Sequence, residues 1–113
     1  MSDIAREHCK PCDGSEPALS QAEAEAMLES LDGWSLEERK GTLRLRKRFR
    51  FADFAGAAKF TARVAEAAEA VDHHPRIVTE WGRVTVDWWT HAVGGLHRND
   101  FIMAARTDEL YGR

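Results

Sequence analysis

A period of two runs through residues 42–51, and it constrains the fold more than any other feature of the chain. One set of alternating positions is mostly apolar and the other mostly basic: Leu43, Leu45, Lys47, Phe49 and Phe51 against Thr42, Arg44, Arg46, Arg48 and Arg50. Such alternation indicates a β-strand with one buried face and one solvated face. Trp34 and Leu36 alternate in the same way before Lys40-Gly41, so a β-hairpin with a basic outer face is predicted.

Helical periodicity marks two further segments. Ser20 and Glu23 have the spacing of a capping box, which predicts a helix over residues 21–31. Apolar side chains at helical spacing, together with many alanines, predict a longer helix over residues 52–71. Pro75 forbids the continuation of that helix.

A second hairpin and a last helix are predicted in the remainder of the chain. Residues 77–81 and 84–91 show the period of two again, on either side of a turn at Gly82 and Arg83. Apolar residues at helical spacing then predict a helix over residues 98–111.

The predicted element order, α-β-β-α-β-β-α, is that of an α+β domain. Because both strand pairs are hairpins, we expect a four-stranded antiparallel sheet with three helices packed on one face. Residues 20–113 are expected to form this single domain. Residues 1–19 show little periodicity and contain Pro11 and Pro17, so we expect them to form a flexible N-terminal arm.

Composition excludes several functional classes. The net charge of -3 over 113 residues gives no electrostatic reason to expect nucleic-acid binding. No apolar run approaches the roughly 20 residues needed to cross a bilayer, and residues 1–7 are charged and lack the apolar core of a signal peptide. Two cysteines do not make a disulfide framework. We therefore expect a soluble, cytoplasmic protein without nucleic-acid or membrane partners.

Side chains suited to proton transfer lie at the ends of three predicted elements. His73 and His74 follow the long helix, His91 ends the fourth strand, and Asp100 begins the last helix. Glu69, four residues before His73, falls on the same helical face. Since histidine transfers protons near neutral pH, convergence of these ends at one rim of the sheet would form an acid–base site.

Each of these residues also has a purely structural interpretation. A His-His pair at a helix C-terminus can be a solvated cap that the helix dipole favours. His91 can be a structural strand residue, Asp100 a favourable carboxylate at a helix N-terminus, and Glu69 a surface residue. Trp81, Trp88 and Trp89 are expected in the core, although aromatic walls also suit flat heterocycles.

Metal binding is a further possibility that the sequence leaves open. Three histidines suit zinc, but His73 and His74 are adjacent, which makes joint coordination of one ion awkward. His8, Cys9 and Cys12 contain a C-x-x-C pair that could bind metal or cycle between redox states. A second ligand pair and the strand-then-helix context of a thioredoxin site are both missing there.

Taken together, these residues resemble the signature of the pterin-4a-carbinolamine dehydratase family. The matching positions and spacings are Glu69-x-x-x-His73-His74-Pro75, then Trp81, His91 and Asp100. The resemblance extends over about residues 20–111, where the predicted element order is that of the family. Residues 79–82 and 95–102 are most similar to bacterial members that accompany phenylalanine hydroxylase.

The resemblance implies a lyase without metal or cofactor. Such an enzyme converts 4a-hydroxytetrahydrobiopterin into quinonoid dihydropterin and water, and so recycles the pterin of aromatic amino-acid hydroxylation. It implies a catalytic set of His73, His74 and His91, with His73 and His91 as the acid–base candidates and His74 mainly holding the pterin. Glu69 and Asp100 would orient or tune the histidines. The implied substrate-binding residues are Asp72, His73, His74, Pro75, Trp89, Thr90, His91 and Ala92.

The resemblance also implies partners and contains two departures. It implies a homodimer or homotetramer, a functional link to phenylalanine hydroxylase and, as an alternative function, a non-enzymatic dimerisation or regulatory role for the hydroxylase system or its transcription. Some members have a small hydroxyl residue and an arginine where this chain has His97 and Asn99. His97 is a weaker helix N-cap than serine, and an arginine contact does not transfer to position 99.

Overall fold

The computed structural model describes residues 4–10 and 14–111. Within these ranges the chain forms three α-helices and four β-strands in the predicted order. The elements are α1 (Gln21–Leu28), β1 (Ser35–Arg39), β2 (Thr42–Arg50), α2 (Phe54–Val71), β3 (Arg76–Glu80), β4 (Arg83–Trp88) and α3 (Arg98–Tyr111). Short 3₁₀ turns lie at Ile4–Arg6 and His91–Val93.

The four strands form one antiparallel sheet in the order β1-β2-β4-β3, which confirms the predicted fold class. Alternate residues of each strand share a face. On the face that α2 and α3 cover, the central strands bury Leu45, Phe49, Val84, Val86 and Trp88 almost completely. The core therefore lies between the two central strands and these two helices.

The long helix α2 presents a stripe of small and aromatic residues to the sheet. Its N-terminus is capped by Asp53, whose carboxylate accepts a 2.7 Å hydrogen bond from the Gly56 N–H. Its buried residues are Ala57, Phe60, Val64 and Ala68. Neither this helix nor any other in the described residues combines the length and apolarity needed to cross a membrane.

The opposite face of the sheet carries the arginines that the alternation in β2 predicts. Asp87 is fully buried on this face, where its carboxylate accepts hydrogen bonds of 2.7 and 3.0 Å from Arg46 and one of 3.4 Å from Arg76. The hydrogen bonds that Arg46 donates to Asp87 raise the pKa of Arg46 above its ordinary value. The Arg44 guanidinium lies 3.8 Å from the centroid of the Trp89 ring. One carboxylate thus holds neighbouring arginines in place across three strands.

Several element boundaries differ from the sequence-based predictions. Helix α1 ends at Leu28 rather than at residue 31, and Gly33, with φ of +80°, lies in the loop beyond it. Strand β3 ends at Glu80, which leaves Trp81 in the turn with 75% of its surface exposed. The expectation that Trp81 lies in the core is therefore wrong. The reason is that Trp81 lies beyond the end of β3, in the tight turn formed with Gly82, whose φ is +78°.

The fourth strand is also shorter than predicted. It ends at Trp88, and His91 begins the 3₁₀ turn that follows instead of ending the strand. The cause is a local closure: Thr90 and Gly95 exchange backbone hydrogen bonds of 2.8 and 3.3 Å, so the intervening residues form a loop.

Candidate functional site

The end of α2 directs two adjacent histidines to different environments. Asp72 adopts a left-handed conformation with φ of +51°, which aspartate tolerates better than most residues. The Asp72 N–H donates to the Glu69 carbonyl at 3.3 Å and the His73 N–H to the Ala68 carbonyl at 3.1 Å, the pattern of a Schellman turn. After this turn, the His73 side chain is 12% exposed and the His74 side chain 53% exposed.

His73 is held by a buried carboxylate. Its Nε2 lies 2.6 Å from Asp100 Oδ1, and Asp100 is fully buried. The other carboxylate oxygen accepts hydrogen bonds from the Thr90 hydroxyl at 2.8 Å and the His97 N–H at 2.9 Å. The His73 ring also stacks on Trp88, with ring centroids 5.4 Å apart and planes inclined by 24°. These contacts fix both the position and the orientation of the imidazole.

The start of α3 explains why Asp100 is so well placed. The Asn99 N–H donates to His97 Nδ1 at 3.0 Å, and Asp100 accepts in return from the His97 N–H. This reciprocal pattern is analogous to a capping box. His97, although a weaker cap than serine in general, therefore caps α3 here, and its Nε2 lies 3.1 Å from Glu16 Oε1.

His91 is held far less tightly. It lies in the 3₁₀ turn after β4, exposed, with its ring centroid 4.9 Å from that of Trp89. Among the residues that the structure describes, no hydrogen bond or ion pair engages its imidazole. Within residues 4–10 and 14–111, both ring nitrogens therefore remain available to a ligand.

Glu69 contacts His74 rather than His73. The distance from His74 Nε2 to Glu69 Oε1 is 2.6 Å, and both side chains are largely exposed. Helical spacing alone places Glu69 beside His73, but the left-handed residue Asp72 ends the helical period before either histidine. The two carboxylates thus serve different histidines, Asp100 for His73 and Glu69 for His74.

His73, His74 and His91 border an open cleft of about 640 Å³, whereas Glu69 and Asp100 are not among its lining residues. Six of the eight substrate-binding residues expected from the resemblance line it: Asp72, His73, His74, Thr90, His91 and Ala92. Pro75 and Trp89 are not among the lining residues. Trp89 lies instead against Arg44 and His91.

Sequence reasoning missed part of the cleft wall. His8, Cys9 and Lys10 from the N-terminal arm line it, as do Asn99 and Arg106 from α3. Asn99 and Arg106 are seven residues apart and so lie on one helical face, a signal that could have linked them. No periodicity linked residues 4–10 to the site.

The chemical environment of Cys9 is set by its place in the cleft wall. Burial raises the pKa of its thiol above the ordinary value, an effect that Arg106 opposes and Asp100 reinforces. Arg98, by contrast, does not line the cleft but donates two hydrogen bonds of 2.6 Å to Glu7.

The described parts of the chain contain no set of side chains arranged to bind a metal ion. Residues 4–10 and 14–111 contain no group of three or more histidine, cysteine, aspartate or glutamate side chains positioned to hold a metal ion. Cys12 lies outside the described residues, so the proposal that His8, Cys9 and Cys12 bind metal stays a hypothesis.

Sequence comparison identifies one family. The model of the pterin 4 alpha carbinolamine dehydratase family matches residues 17–110. A relative from Chlorobium limicola is 51% identical over 111 residues, covering 98% of each chain. One from Microcystis aeruginosa is 50% identical over 111 residues, covering 98% of this chain and 96% of the relative. Both carry provisional names as pterin-4-alpha-carbinolamine dehydratases.

Two solved structures with a similar fold are also described as a pterin dehydratase or as pterin dehydratase-like. A transcriptional coactivator/pterin dehydratase from Brucella melitensis superposes with a TM-score of 0.75 and 34% identity, over 84% of this chain and 99% of that one. A pterin dehydratase-like protein described as a RuBisCO assembly factor of the alpha-carboxysome gives a TM-score of 0.60 and 25% identity, over 71% and 90% of the two chains.

Proposed function

Since this chain belongs to the pterin 4 alpha carbinolamine dehydratase family of hydro-lyases, we propose that it dehydrates a 4a-hydroxytetrahydropterin by histidine acid–base catalysis. The observation that carries the proposal is the His73–Asp100 pair, 2.6 Å apart. His73 lines the same cleft as His91, whose imidazole has no partner among the described residues. A cleft of about 640 Å³ is within the range of roughly 300–1,000 Å³ usual for small-molecule sites.

The reaction needs two proton transfers. A base removes the proton from the ring N–H next to C4a, and the electrons of that bond form a C=N double bond to C4a. The C4a–O bond breaks, its electrons leave with the oxygen, and an acid protonates that oxygen so that it departs as water. The products are quinonoid dihydropterin and water, without any change in oxidation state, so two side chains with complementary protonation suffice.

We assign the base to His73. Asp100 accepts three hydrogen bonds, from the His73 ring, the Thr90 hydroxyl and the His97 N–H. The Asp100 carboxylate favours the tautomer in which His73 Nε2 carries the proton, because only that N–H can donate a hydrogen bond to it. Neutral His73 then carries its lone pair on Nδ1, and Asp100 stabilises the imidazolium that forms when Nδ1 accepts the substrate proton.

His91 and His74 receive the remaining roles. His91 is assigned as the acid for the departing hydroxyl, because its exposed imidazole has no competing partner among the described residues. His74 is assigned to hold the pterin. Its pairing with Glu69 at 2.6 Å orients its ring on the wall of the cleft.

The experiment that tests this proposal is stopped-flow decay of synthetic 4a-hydroxytetrahydrobiopterin. The wild-type protein should accelerate decay well above the buffer rate, and His73→Ala and His91→Ala should each reduce kcat by about 10²- to 10⁴-fold. Lys59→Ala, which removes an exposed lysine of α2 that does not line the cleft, is the matched control and should retain wild-type kinetics. A wild-type rate equal to that of buffer would refute the proposal.

An aromatic amino-acid hydroxylase, such as phenylalanine hydroxylase, is the proposed source of the substrate. Such enzymes leave a hydroxyl on C4a of their pterin, which is the group that this site would remove. A cytoplasmic location and assembly into a homodimer or homotetramer complete the proposal. Light scattering of the purified protein at micromolar concentration distinguishes these assemblies from a monomer.

A non-catalytic role is the second candidate, and the names of two structural relatives favour it. One is described as a transcriptional coactivator as well as a pterin dehydratase, and the other as a RuBisCO assembly factor. A partner of this chain would be retained in a pull-down at physiological salt by both the wild-type protein and His73→Ala. Recovery of no protein other than the chain itself would count against this role.

A further inference from the structure

Residues 4–10 are attached to α3 through one buried amide. The Lys10 N–H donates to Asn99 Oδ1 at 2.9 Å, and Asn99 Nδ2 donates to the Lys10 carbonyl at 2.7 Å. Asn99 is only 3% exposed, and its own N–H is held by His97 at the start of α3. A single side chain thus satisfies both backbone polar groups of a residue 89 positions away in sequence, which fixes Lys10 relative to the catalytic end of the helix.

Further contacts hold the preceding residues in place. The Arg106 guanidinium donates to the Ala5 carbonyl at 3.0 Å and to the Glu7 carbonyl, while the Glu7 carboxylate receives both hydrogen bonds from Arg98. Ile4 is buried in the hydrophobic core. The segment from Ile4 to Lys10 is therefore packed along the same helix that supplies Asp100.

This attachment places polar side chains of the arm on the wall of the cleft. His8 and Lys10 line the cleft that His73 and His91 also line, and both are exposed. In the part of the chain that the structure describes, neither the His8 imidazole nor the Lys10 ammonium has a hydrogen-bond or ion-pair partner. Within the described residues, the arm thus presents two unengaged donors to a ligand in the cleft. The hydrogen bonds between the Lys10 backbone and Asn99 hold this part of the arm in place.

We propose that the arm is a specificity element that recognises the polar C6 side chain of the pterin substrate through His8 and Lys10. The inference rests on the proposed function. The proton transfers require only the fused ring, which His73 after α2 and His91 in the 3₁₀ turn serve. The donors that the arm adds to the wall are therefore free to bind a substituent beyond the ring. An imidazole and an ammonium both donate hydrogen bonds to hydroxyl groups such as those of a dihydroxypropyl chain.

The test compares two substrates that share the reacting ring but differ at C6. These are 4a-hydroxytetrahydrobiopterin, which carries a dihydroxypropyl group, and 4a-hydroxy-6-methyltetrahydropterin. For the double variant His8→Ala/Lys10→Ala, KM for the biopterin substrate should rise about 5- to 10-fold, the loss of one or two net hydrogen bonds. Its kcat should stay within about twofold of wild type, and KM for the 6-methyl substrate should be unchanged.

A control and a second readout make the outcome decisive. Lys59→Ala removes an exposed lysine from α2 and should change neither KM. Affinities for dihydrobiopterin and 6-methyldihydropterin, measured by isothermal titration calorimetry, should repeat the selective loss without turnover.

Three results would overturn the inference. An unchanged ratio of the two KM values in the double variant would show that the arm has a structural role only and does not recognise the C6 side chain. An equal rise for both substrates would place its contacts on the ring rather than on the side chain. If the wild-type protein dehydrated neither substrate, the proposed function would fail, and the specificity role of the arm would fail with it.

Discussion

His73 Nε2 lies 2.6 Å from Asp100 Oδ1, and this contact joins the end of one helix to the beginning of another. The carboxylate is buried and also accepts from Thr90 and His97, so its position does not depend on the histidine. The histidine, in turn, stacks on Trp88 in the core. The arrangement orients one imidazole before any substrate binds, which is what a positioned general base requires.

Asp100→Asn should reduce kcat by about 100-fold while KM stays within about twofold, because the asparagine no longer favours the tautomer that leaves Nδ1 free to accept a proton. Thr90→Val is the matched control, since it removes one donor from Asp100 but keeps the carboxylate. It should reduce kcat by less than about tenfold. Steady-state dehydration kinetics with circular dichroism of each variant provide the measurement. Equal losses in the two variants would contradict the orienting role.

His74→Ala should mainly raise KM, whereas His91→Ala should mainly lower kcat. The reason is that His74 is assigned to hold the pterin and His91 to protonate the leaving hydroxyl. Glu69→Gln should raise KM in the same direction as His74→Ala but by a smaller factor, since it weakens only the 2.6 Å contact that orients His74. Full saturation curves for the three variants check this division, and a kcat loss in His74→Ala as large as that in His91→Ala would overturn it.

Trp88 and Trp81 should differ greatly in their effect on stability, although they lie on the same hairpin. Trp88 is fully buried and donates a 3.1 Å hydrogen bond to the Thr107 hydroxyl, so Trp88→Ala should lower the free energy of unfolding by about 3–5 kcal/mol. Trp81, which is 75% exposed, should change that free energy by less than about 0.5 kcal/mol when replaced by alanine. Urea denaturation monitored by circular dichroism measures both values. A Trp81→Ala loss comparable to that of Trp88→Ala would show that Trp81 is packed against something in solution.

Cys9 should react slowly with iodoacetamide at neutral pH, and ligand should protect it. Because burial raises the pKa of its thiol, the reactive thiolate is scarcer at a given pH than in an exposed cysteine, and the rate should rise as the pH increases. In a Cys12→Ser background, mass spectrometry gives the alkylation rate of Cys9 alone. Dihydrobiopterin should lower that rate, since Cys9 lines the cleft; an unaffected rate would place the ligand elsewhere.

The fold was predictable because its determinants are local. The period of two in residues 42–51, the capping box at Ser20 and Glu23, and Pro75 each act within a few residues, and the structure has the elements that they predict. The ends of helices and strands were less predictable where a tight turn sets them. Trp81 continues the alternation of β3, yet the turn at Gly82 removes it from the sheet.

The site was only partly predictable because its contacts are long-range. The identities of His73, His91 and Asp100 emerged from spacing and resemblance, but the spacing could not assign Glu69 to His74. That pairing follows from the left-handed conformation of Asp72. The hydrogen bonds between Lys10 and Asn99 span 89 positions and involve the backbone groups of Lys10. A pattern of side chains in the sequence could not predict such a contact.

The most direct test of the account is single-turnover dehydration of 4a-hydroxytetrahydrobiopterin by the double variant His73→Ala/His91→Ala. With base and acid both removed, the rate should fall to that of buffer, while the Kd for dihydrobiopterin stays within about fivefold of wild type because His74 and the remainder of the cleft are intact. Dehydration by the double variant at more than half the wild-type rate would contradict histidine acid–base catalysis at this site.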